Sequence, residues 1–115
     1  MLVAGDIGGT KSDLALFSTE GGVHAPVARD RLHSAYFSSL QAMVKTFLRK
    51  ADKPVDCACF AVASPVIRGR VKTTNLPWVA DEPSVAEALN LNVKSVRLIK
   101  DALAGDVRSV SLHSE

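Results

Sequence analysis

Residues 2–18 read LVAGDIGGTKSDLALFS, and they carry the strongest secondary-structure pattern of the chain. Apolar residues fill Leu2–Ile7, a Gly8-Gly9 turn follows, and residues 12–18 alternate enough to form a second strand. Paired glycines between two strand-like runs are typical of a β-hairpin. We therefore predict that the second strand pairs back on the first.

The rest of the chain alternates between strand-like and helix-like patterns. The predicted strands are residues 23–32, 55–63 and 95–99, and the predicted helices are residues 36–50, 81–89 and 101–112. Residues 55–63 are apolar except for Asp56 and show almost no polar alternation, as in a strand that is buried on both faces. A helix between two strands implies a parallel crossover, so the sequence predicts an α/β fold.

Composition excludes several classes of protein. At 115 residues, 47% hydrophobic and 23% charged, the chain is one ordinary globular domain. Its formal net charge is only +2 and its basic residues are dispersed, which argues against a nucleic-acid partner. The most apolar later stretch, residues 57–66, is half the roughly 20 residues that a membrane helix needs. We expect a cytoplasmic protein with no membrane partner.

The cysteines and histidines do not suggest a metal site. Cys57 and Cys59 are two positions apart in a predicted strand, where both face the same way and are poorly arranged for a disulfide. We predict that they are buried small apolar residues. His24, His33 and His113 lack the spacing of metal ligands.

The turn after the first strand suits an anion. Gly8 and Gly9 permit positive φ and a close approach to backbone amides, while Thr10 and Lys11 add a hydroxyl and a cation. Asp6 suits a Mg²⁺ ion held through water. The alternative is an ordinary hairpin turn, in which the Asp6 carboxylate accepts hydrogen bonds from the backbone amides of the turn.

A single carboxylate follows the last predicted strand. Asp101 stands where the apolar run through Ile99 ends, at the edge of an α/β sheet along which ligands gather. It suits a general base acting on a substrate hydroxyl. The alternative is that Asp101 caps the helix that follows.

The segment TTNLPW, residues 73–78, is predicted to be a loop that crosses the edge of the sheet. The amide of Asn75 suits a sugar hydroxyl, whereas Trp78 is better explained as a core residue. The cations at Arg68, Arg70 and Lys72 are typical of a solvated edge strand.

Four segments together resemble the bacterial glucokinase family. They are GDIGGTK (5–11), ASPV (63–66), TNLPW (74–78) and LIKD (98–101). The resemblance implies a mixed five-stranded sheet with helices, the ribonuclease H-like N-terminal lobe of the hexokinase and actin-like ATPase superfamily. It also implies transfer of the ATP γ-phosphate to the 6-hydroxyl of glucose, the first step of glycolysis, with Mg²⁺.

The resemblance also implies roles for individual residues. Asp101 would be the base, the turn would bind the γ-phosphate, Asp6 would be an indirect Mg²⁺ partner, and Asn75, Lys100 and Asp101 would face the sugar. Lys100 replaces the usual asparagine and Ser64 the usual glycine. Lys100 would either donate to a sugar hydroxyl or, through its charge, weaken Asp101 as a base.

The family's proteins have two lobes, and residues 1–115 correspond to the N-terminal one. The second lobe is absent from this chain, so we expect the chain to be inactive alone, because such kinases close two lobes on their substrates. An apolar surface uncovered in this way would favour a homodimer. Two alternatives remain at this point: a non-catalytic sugar-binding module of the same fold, and a small domain whose turn binds nothing.

Overall fold

The computed structural model describes residues 1–18, 26–73 and 76–100. The predicted helix over residues 101–112, the first residues of the strand predicted over 23–32, Asn75 and Asp101 lie outside the described residues.

A mixed five-stranded sheet forms the centre of the molecule. Its strands are β1 (Leu2–Ile7), β2 (Lys11–Phe17), β3 (Ala28–His33), β4 (Cys57–Val62) and β7 (Val96–Lys100), in the order β3-β2-β1-β4-β7. The first three pair antiparallel, and β4 and β7 continue the sheet in parallel with β1. The predicted hairpin, the α/β class and the mixed five-stranded sheet are confirmed.

Two helices cover one face of this sheet. They are α1 (Leu40–Ala51) and α2 (Glu82–Leu89). The buried residues of α1 are Leu40, Met43, Val44 and Phe47. They pack with alternate sheet residues such as Leu14, Leu16, Phe60, Val62 and Leu98 in one continuous core. The three- and four-residue spacing gives α1 one apolar face, and this face packs against the side chains that every second strand residue presents.

The helix predicted over residues 36–50 begins four residues later than expected. Ser39 is its N-cap, and its hydroxyl accepts a hydrogen bond from the backbone N–H of Ala42 at 3.1 Å. The residues before it form a separate 3₁₀ turn, Ser34–Tyr36. The apolar periodicity continued through this turn, and only the cap marked the true start.

Both boundaries of α2 match the prediction. Asp81 is the N-cap, and its carboxylate accepts from the backbone N–H of Ser84 at 2.7 Å. The next strand was predicted over residues 95–99, but Ser95 ends a 3₁₀ turn and the strand runs from Val96 to Lys100. Residues 55–63 likewise contain a shorter strand, β4, and β3 begins at Ala28.

A small second sheet replaces part of the predicted loop. It pairs β5 (Arg70–Lys72) with β6 (Val79–Asp81). Strand β6 begins directly after Trp78, the last residue of the predicted loop, and was not predicted. The predicted edge strand is confirmed only for Arg70–Lys72, which alternates exposed and buried residues. A tight turn at Arg68 and Gly69, with φ of 53° and 72°, leads into β5.

The prediction that both cysteines are buried is confirmed for Cys59 and is wrong for Cys57, which is half-buried at the start of β4. Both thiols are free, and Cys59 packs with Ala61 on the second face of the sheet. Burial raises the pKa of the Cys57 and Cys59 thiols, which keeps both protonated near neutral pH.

Among the described residues, no helix has both the length and the apolar character required to span a bilayer.

The Arg68-Gly69 turn gives two substitutions with opposite expected effects. Gly69→Ala would strain a left-handed residue and bring a Cβ to 2.5 Å from Oε1 of Glu82, lowering the free energy of unfolding by about 1–3 kcal/mol. Arg68→Asn places a residue that tolerates positive φ at the neighbouring position and is expected to stabilise by about 0.5 kcal/mol. Urea denaturation of both variants checks this; equal effects would contradict the turn geometry.

Candidate functional site

Three parallel strands end in one row of the sheet. Ile7 of β1 is the register partner of Val62 of β4, which is the register partner of Lys100 of β7. The chain therefore leaves all three strands at the same edge, within two strand spacings, or about 10 Å. The glycine turn and the Ala63-Ser64 segment begin at this edge, and β7 ends there at Lys100.

The outer strand of this row, β7, is held by a side chain of α2. Oε2 of Glu82 accepts a hydrogen bond from the backbone N–H of Leu98 at 2.9 Å. The backbone N–H of Glu82 donates to the carbonyl of Gly69, also at 2.9 Å. Glu82 thus joins β7 to the turn that leads into β5.

A pocket of about 300 Å³, including its open mouth, lies at this edge. It is lined by Ile7, Gly8, Gly9, Ala63, Ser64, Thr73 and Leu76. The pocket therefore joins the glycine turn, the segment after β4 and the two described flanks of the loop that carries Asn75. Its lining mixes backbone amides and hydroxyls with apolar groups, as small-molecule sites do.

Gly8 is required by space rather than by backbone conformation. A Cβ at this position would lie 2.4 Å from the carbonyl oxygen of Lys11. Among the described residues the glycine with positive φ is Gly69, so Gly8 and Gly9 do not use the positive φ that glycine permits. The turn needs glycine because the Lys11 carbonyl leaves no room for a side chain at position 8.

A buried serine outside the predicted site holds the glycine turn. The Ser34 hydroxyl donates to the carbonyl of Gly8 at 2.7 Å, and the Ser34 backbone N–H donates to the carbonyl of Thr10 at 3.0 Å. The hydroxyl of Ser12 lies 2.7 Å from that of Ser34, and both serines are 0% exposed. Since the single Ser34 proton goes to Gly8, Ser12 is the donor in this pair.

The loop on the other side of the pocket is closed by Thr73 and anchored by Trp78. The Thr73 hydroxyl lies 3.1 Å from the carbonyl of Leu76 and 3.2 Å from that of Trp78. Trp78 is 2% exposed, and its Nε1 donates to the carbonyl of Phe37 at 3.0 Å. The prediction that Trp78 is a core residue is confirmed.

The remaining predicted residues of the turn lie around the pocket rather than in its lining. Thr10 and Lys11 are exposed, Lys11 as the first residue of β2. Asp6 is half-buried in β1, and strand alternation puts it on the face opposite Ile7. Its register partner is Asp13.

The carboxylates beside the turn are compatible with Mg²⁺. Asp13 is paired with Arg31, whose Nε lies 2.7 Å from Oδ1, and the hydrogen bond to Asp13 raises the pKa of Arg31. Within residues 1–18, 26–73 and 76–100 no group of three or more acidic, histidine or cysteine side chains converges. Mg²⁺ typically takes one or two carboxylates with waters and phosphate oxygens, so Asp6 fits a water-mediated role and no wider ligand cage.

Two residues expected in the site, Asn75 and Asp101, lie outside the described residues. Lys100 is exposed as the last residue of β7, and Ser64 is buried in the pocket lining. Ser34 and Thr73 were not predicted as site residues, because a serine or threonine after a strand is common. Only the strand order brings Ser34 beside the glycine turn.

The fold and the site define a class of protein. A sheet of this order with a glycine turn between its first two strands is the actin-like ATPase fold, and a glucokinase from an Antarctic psychrotroph has it. That structure matches with a TM-score of 0.72 and 27% identity, over 87% of this chain and 32% of that one.

Sequence comparison narrows the class to a family. The glucokinase family model matches residues 3–112, so the chain belongs to the glucokinase family. A glucokinase of Nostoc punctiforme is 39% identical over 90% of this chain and 30% of that protein. A glucokinase of Tolumonas auensis is 28% identical over 99% of this chain and 34% of that protein. The chain spans about a third of the length of the curated relatives that it matches.

Gly8→Ala tests the packing of the turn. The added methyl group would displace the Lys11 carbonyl, and we expect a loss of about 1–3 kcal/mol in the free energy of unfolding. Thr10→Ala is the matched control, since the Thr10 side chain is exposed and its removal should change stability by less than about 0.5 kcal/mol. Urea denaturation measures both. A Gly8→Ala variant as stable as the control would refute the close approach of the Lys11 carbonyl to position 8.

Proposed function

We propose that this chain is the N-terminal lobe of a two-lobe kinase that transfers the γ-phosphate of ATP to the 6-hydroxyl of glucose. Membership of the glucokinase family supports this reaction. The structural observation that carries it is the shared edge: Gly8 and Ser64 line one pocket there, and β7 ends in the same row of the sheet. Ligands of α/β sheets bind at the carboxyl ends of the strands.

The glycine turn would bind the transferred phosphate. Because Gly8 and Gly9 have no side chain, their backbone can approach phosphate oxygens closely. The exposed hydroxyl of Thr10 and ammonium of Lys11 would supply a further donor and a positive charge. Asp6 would hold Mg²⁺ through water, and the ion would neutralise charge on the phosphates.

Asp101 would be the general base. It follows Lys100 directly in the sequence, and Lys100 ends β7 in the same row as Ile7 and Val62. A carboxylate there would be close enough to both walls of the opening to accept the proton of a hydroxyl whose oxygen attacks phosphorus. Such proton transfer typically contributes a factor of about 10² to 10⁴ in rate.

The sugar would lie on the side of residues 73–78. Asn75 would bond its hydroxyls, and Thr73 and Trp78 would fix the ends of that loop. Lys100 would donate to one further hydroxyl. A reaction that uses ATP and glucose would place the protein in the cytoplasm.

The chain alone should not turn over. It spans about a third of its relatives, so the adenosine pocket and the surfaces that close over the substrates would belong to the second lobe. The expected homodimer through an uncovered apolar surface stays a prediction.

Asp101→Asn tests the proposed base. In the full-length protein containing this chain, we expect glucose-dependent ADP formation to fall about 10²- to 10⁴-fold in kcat. Asp52→Asn is the matched control, since Asp52 is exposed, caps the end of α1 at φ 53° and lies in a conformation that asparagine tolerates. Its activity should equal that of the wild type.

Two results would contradict this proposal in different ways. Equal rates for Asp101→Asn and Asp52→Asn would remove Asp101 from the role of base. Saturable glucose binding with no ADP formation by the wild type would instead favour a non-catalytic sugar-binding module.

Lys100→Asn tests the sugar side of the site. An ammonium only donates hydrogen bonds, whereas an amide also accepts one, and asparagine is the usual residue of the family that this sequence resembles. We expect the KM for glucose to fall about threefold to tenfold, a gain of roughly one hydrogen bond, with the KM for ATP unchanged. A parallel change in both KM values would contradict a role confined to the sugar.

A further inference from the structure

The segment of residues 34–37 contacts both sides of the pocket, and we call it the bracket segment. It follows β3 and consists of the 3₁₀ turn Ser34–Tyr36 and Phe37. Its first residue bonds the glycine turn, and the carbonyl of its last residue accepts from Trp78. The backbone N–H of Phe37 also donates to the carbonyl of Ser34 at 3.2 Å, which closes the segment on itself.

Ser34 controls the orientation of the glycine turn through two peptide groups. It binds the carbonyls of Gly8 and Thr10, one through its side chain and one through its backbone. A peptide group is planar and trans, so the N–H on the same plane points opposite its carbonyl. Fixing these carbonyls toward Ser34 therefore turns the N–H groups of Gly9 and Lys11 away from it.

The Ser12 hydroxyl makes this arrangement rigid. Ser12 and Ser34 are 0% exposed, so neither hydroxyl can exchange its partner for water. Ser12 donates to Ser34, and Ser34 donates to Gly8, which gives the two protons a single direction. Buried hydroxyls that are satisfied in this way hold one geometry, because breaking the chain leaves polar groups unpaired.

The opposite end of the bracket segment holds the loop of residues 73–78. Trp78 is buried, and its Nε1 bond to Phe37 fixes the end of the loop that follows Leu76. Leu76 and Thr73 line the pocket together with Gly8 and Gly9. One short segment thus bonds the glycine turn at one end and the loop of residues 73–78 at the other.

We propose that Ser34 is a positioning residue that orients the glycine turn for phosphate, and that the bracket segment sets the separation of the phosphate and sugar walls. This rests on the proposed function and adds residues that none of the predicted roles includes. Ser34 touches no reacting atom; it acts through the Gly8 and Thr10 carbonyls.

The test compares variants at the two ends of the bracket segment in the full-length protein. Ser34→Ala is expected to weaken equilibrium binding of MgATP about tenfold or more and to leave glucose binding within about twofold, since it removes the bond that fixes the Gly8 peptide group and leaves its partly buried carbonyl unpaired. Trp78→Phe keeps the buried ring but loses the donor to Phe37, and should weaken glucose binding with MgATP binding nearly unchanged.

Ser39→Ala is the control for stability alone. Ser39 caps α1 through the N–H of Ala42 and has no bond to the glycine turn. Ser34→Ala and Ser39→Ala should both lower the melting temperature by about 3–10 °C, but only Ser34→Ala should change MgATP binding. Ser12→Ala keeps the hydrogen bond from Ser34 to Gly8, so its affinity for MgATP should lie between those of the wild type and Ser34→Ala.

Amide hydrogen exchange provides a readout that does not depend on turnover. The peptide that contains residues 8–11 should exchange faster in Ser34→Ala than in Ser39→Ala. Unchanged exchange, or equal loss of MgATP and glucose binding in Ser34→Ala, would overturn the inference. A wild type that binds MgATP without glucose-dependent ADP formation would reject the proposed function instead. MgATP binding by Ser34→Ala and Ser39→Ala would still test the role of Ser34.

Discussion

The parallel register of β1, β4 and β7 is the constraint on which the candidate site depends. Each of these strands is bonded to the next through its whole length, so the ends at Ile7, Val62 and Lys100 cannot move along the sheet independently. A slip of one residue would turn every side chain to the other face and expose the core packed under α1 and α2. Burial on the helix face therefore fixes where the three chain exits lie.

Polar contacts refine what this register determines. The buried hydroxyls of Ser12 and Ser34 hold the glycine turn, and the indole of Trp78 holds the loop on the other side. Each bond joins segments that are distant in sequence. The pocket is therefore a product of tertiary packing, built on an edge that the strand register already defines.

Sequence patterns predicted the sheet better than its boundaries. The glycine turn between two apolar runs found the β1–β2 hairpin, and the start signals at Asp81 and Pro83 found α2. Apolar periodicity continued past the Ser39 cap and placed the start of α1 four residues early. Strand β6 and its pairing with β5 were missed because three-residue strands carry too few residues to establish a period. The Trp78 assignment succeeded because a large apolar ring next to proline has few favourable places outside a core.

The sequence by itself determined the class of fold, the position of the glycine turn and the family resemblance, because these depend on local periods and on residue types in order. Only the tertiary structure decided that Gly8 is required by a close crossing at Lys11 rather than by positive φ, and that Ser34 holds the turn. A contact of Ser34 with Gly8 exists only after β2 and β3 have paired, and the approach of the Lys11 carbonyl to Gly8 depends on the turn geometry that the pairing of β1 with β2 sets. No local pattern encodes that pairing.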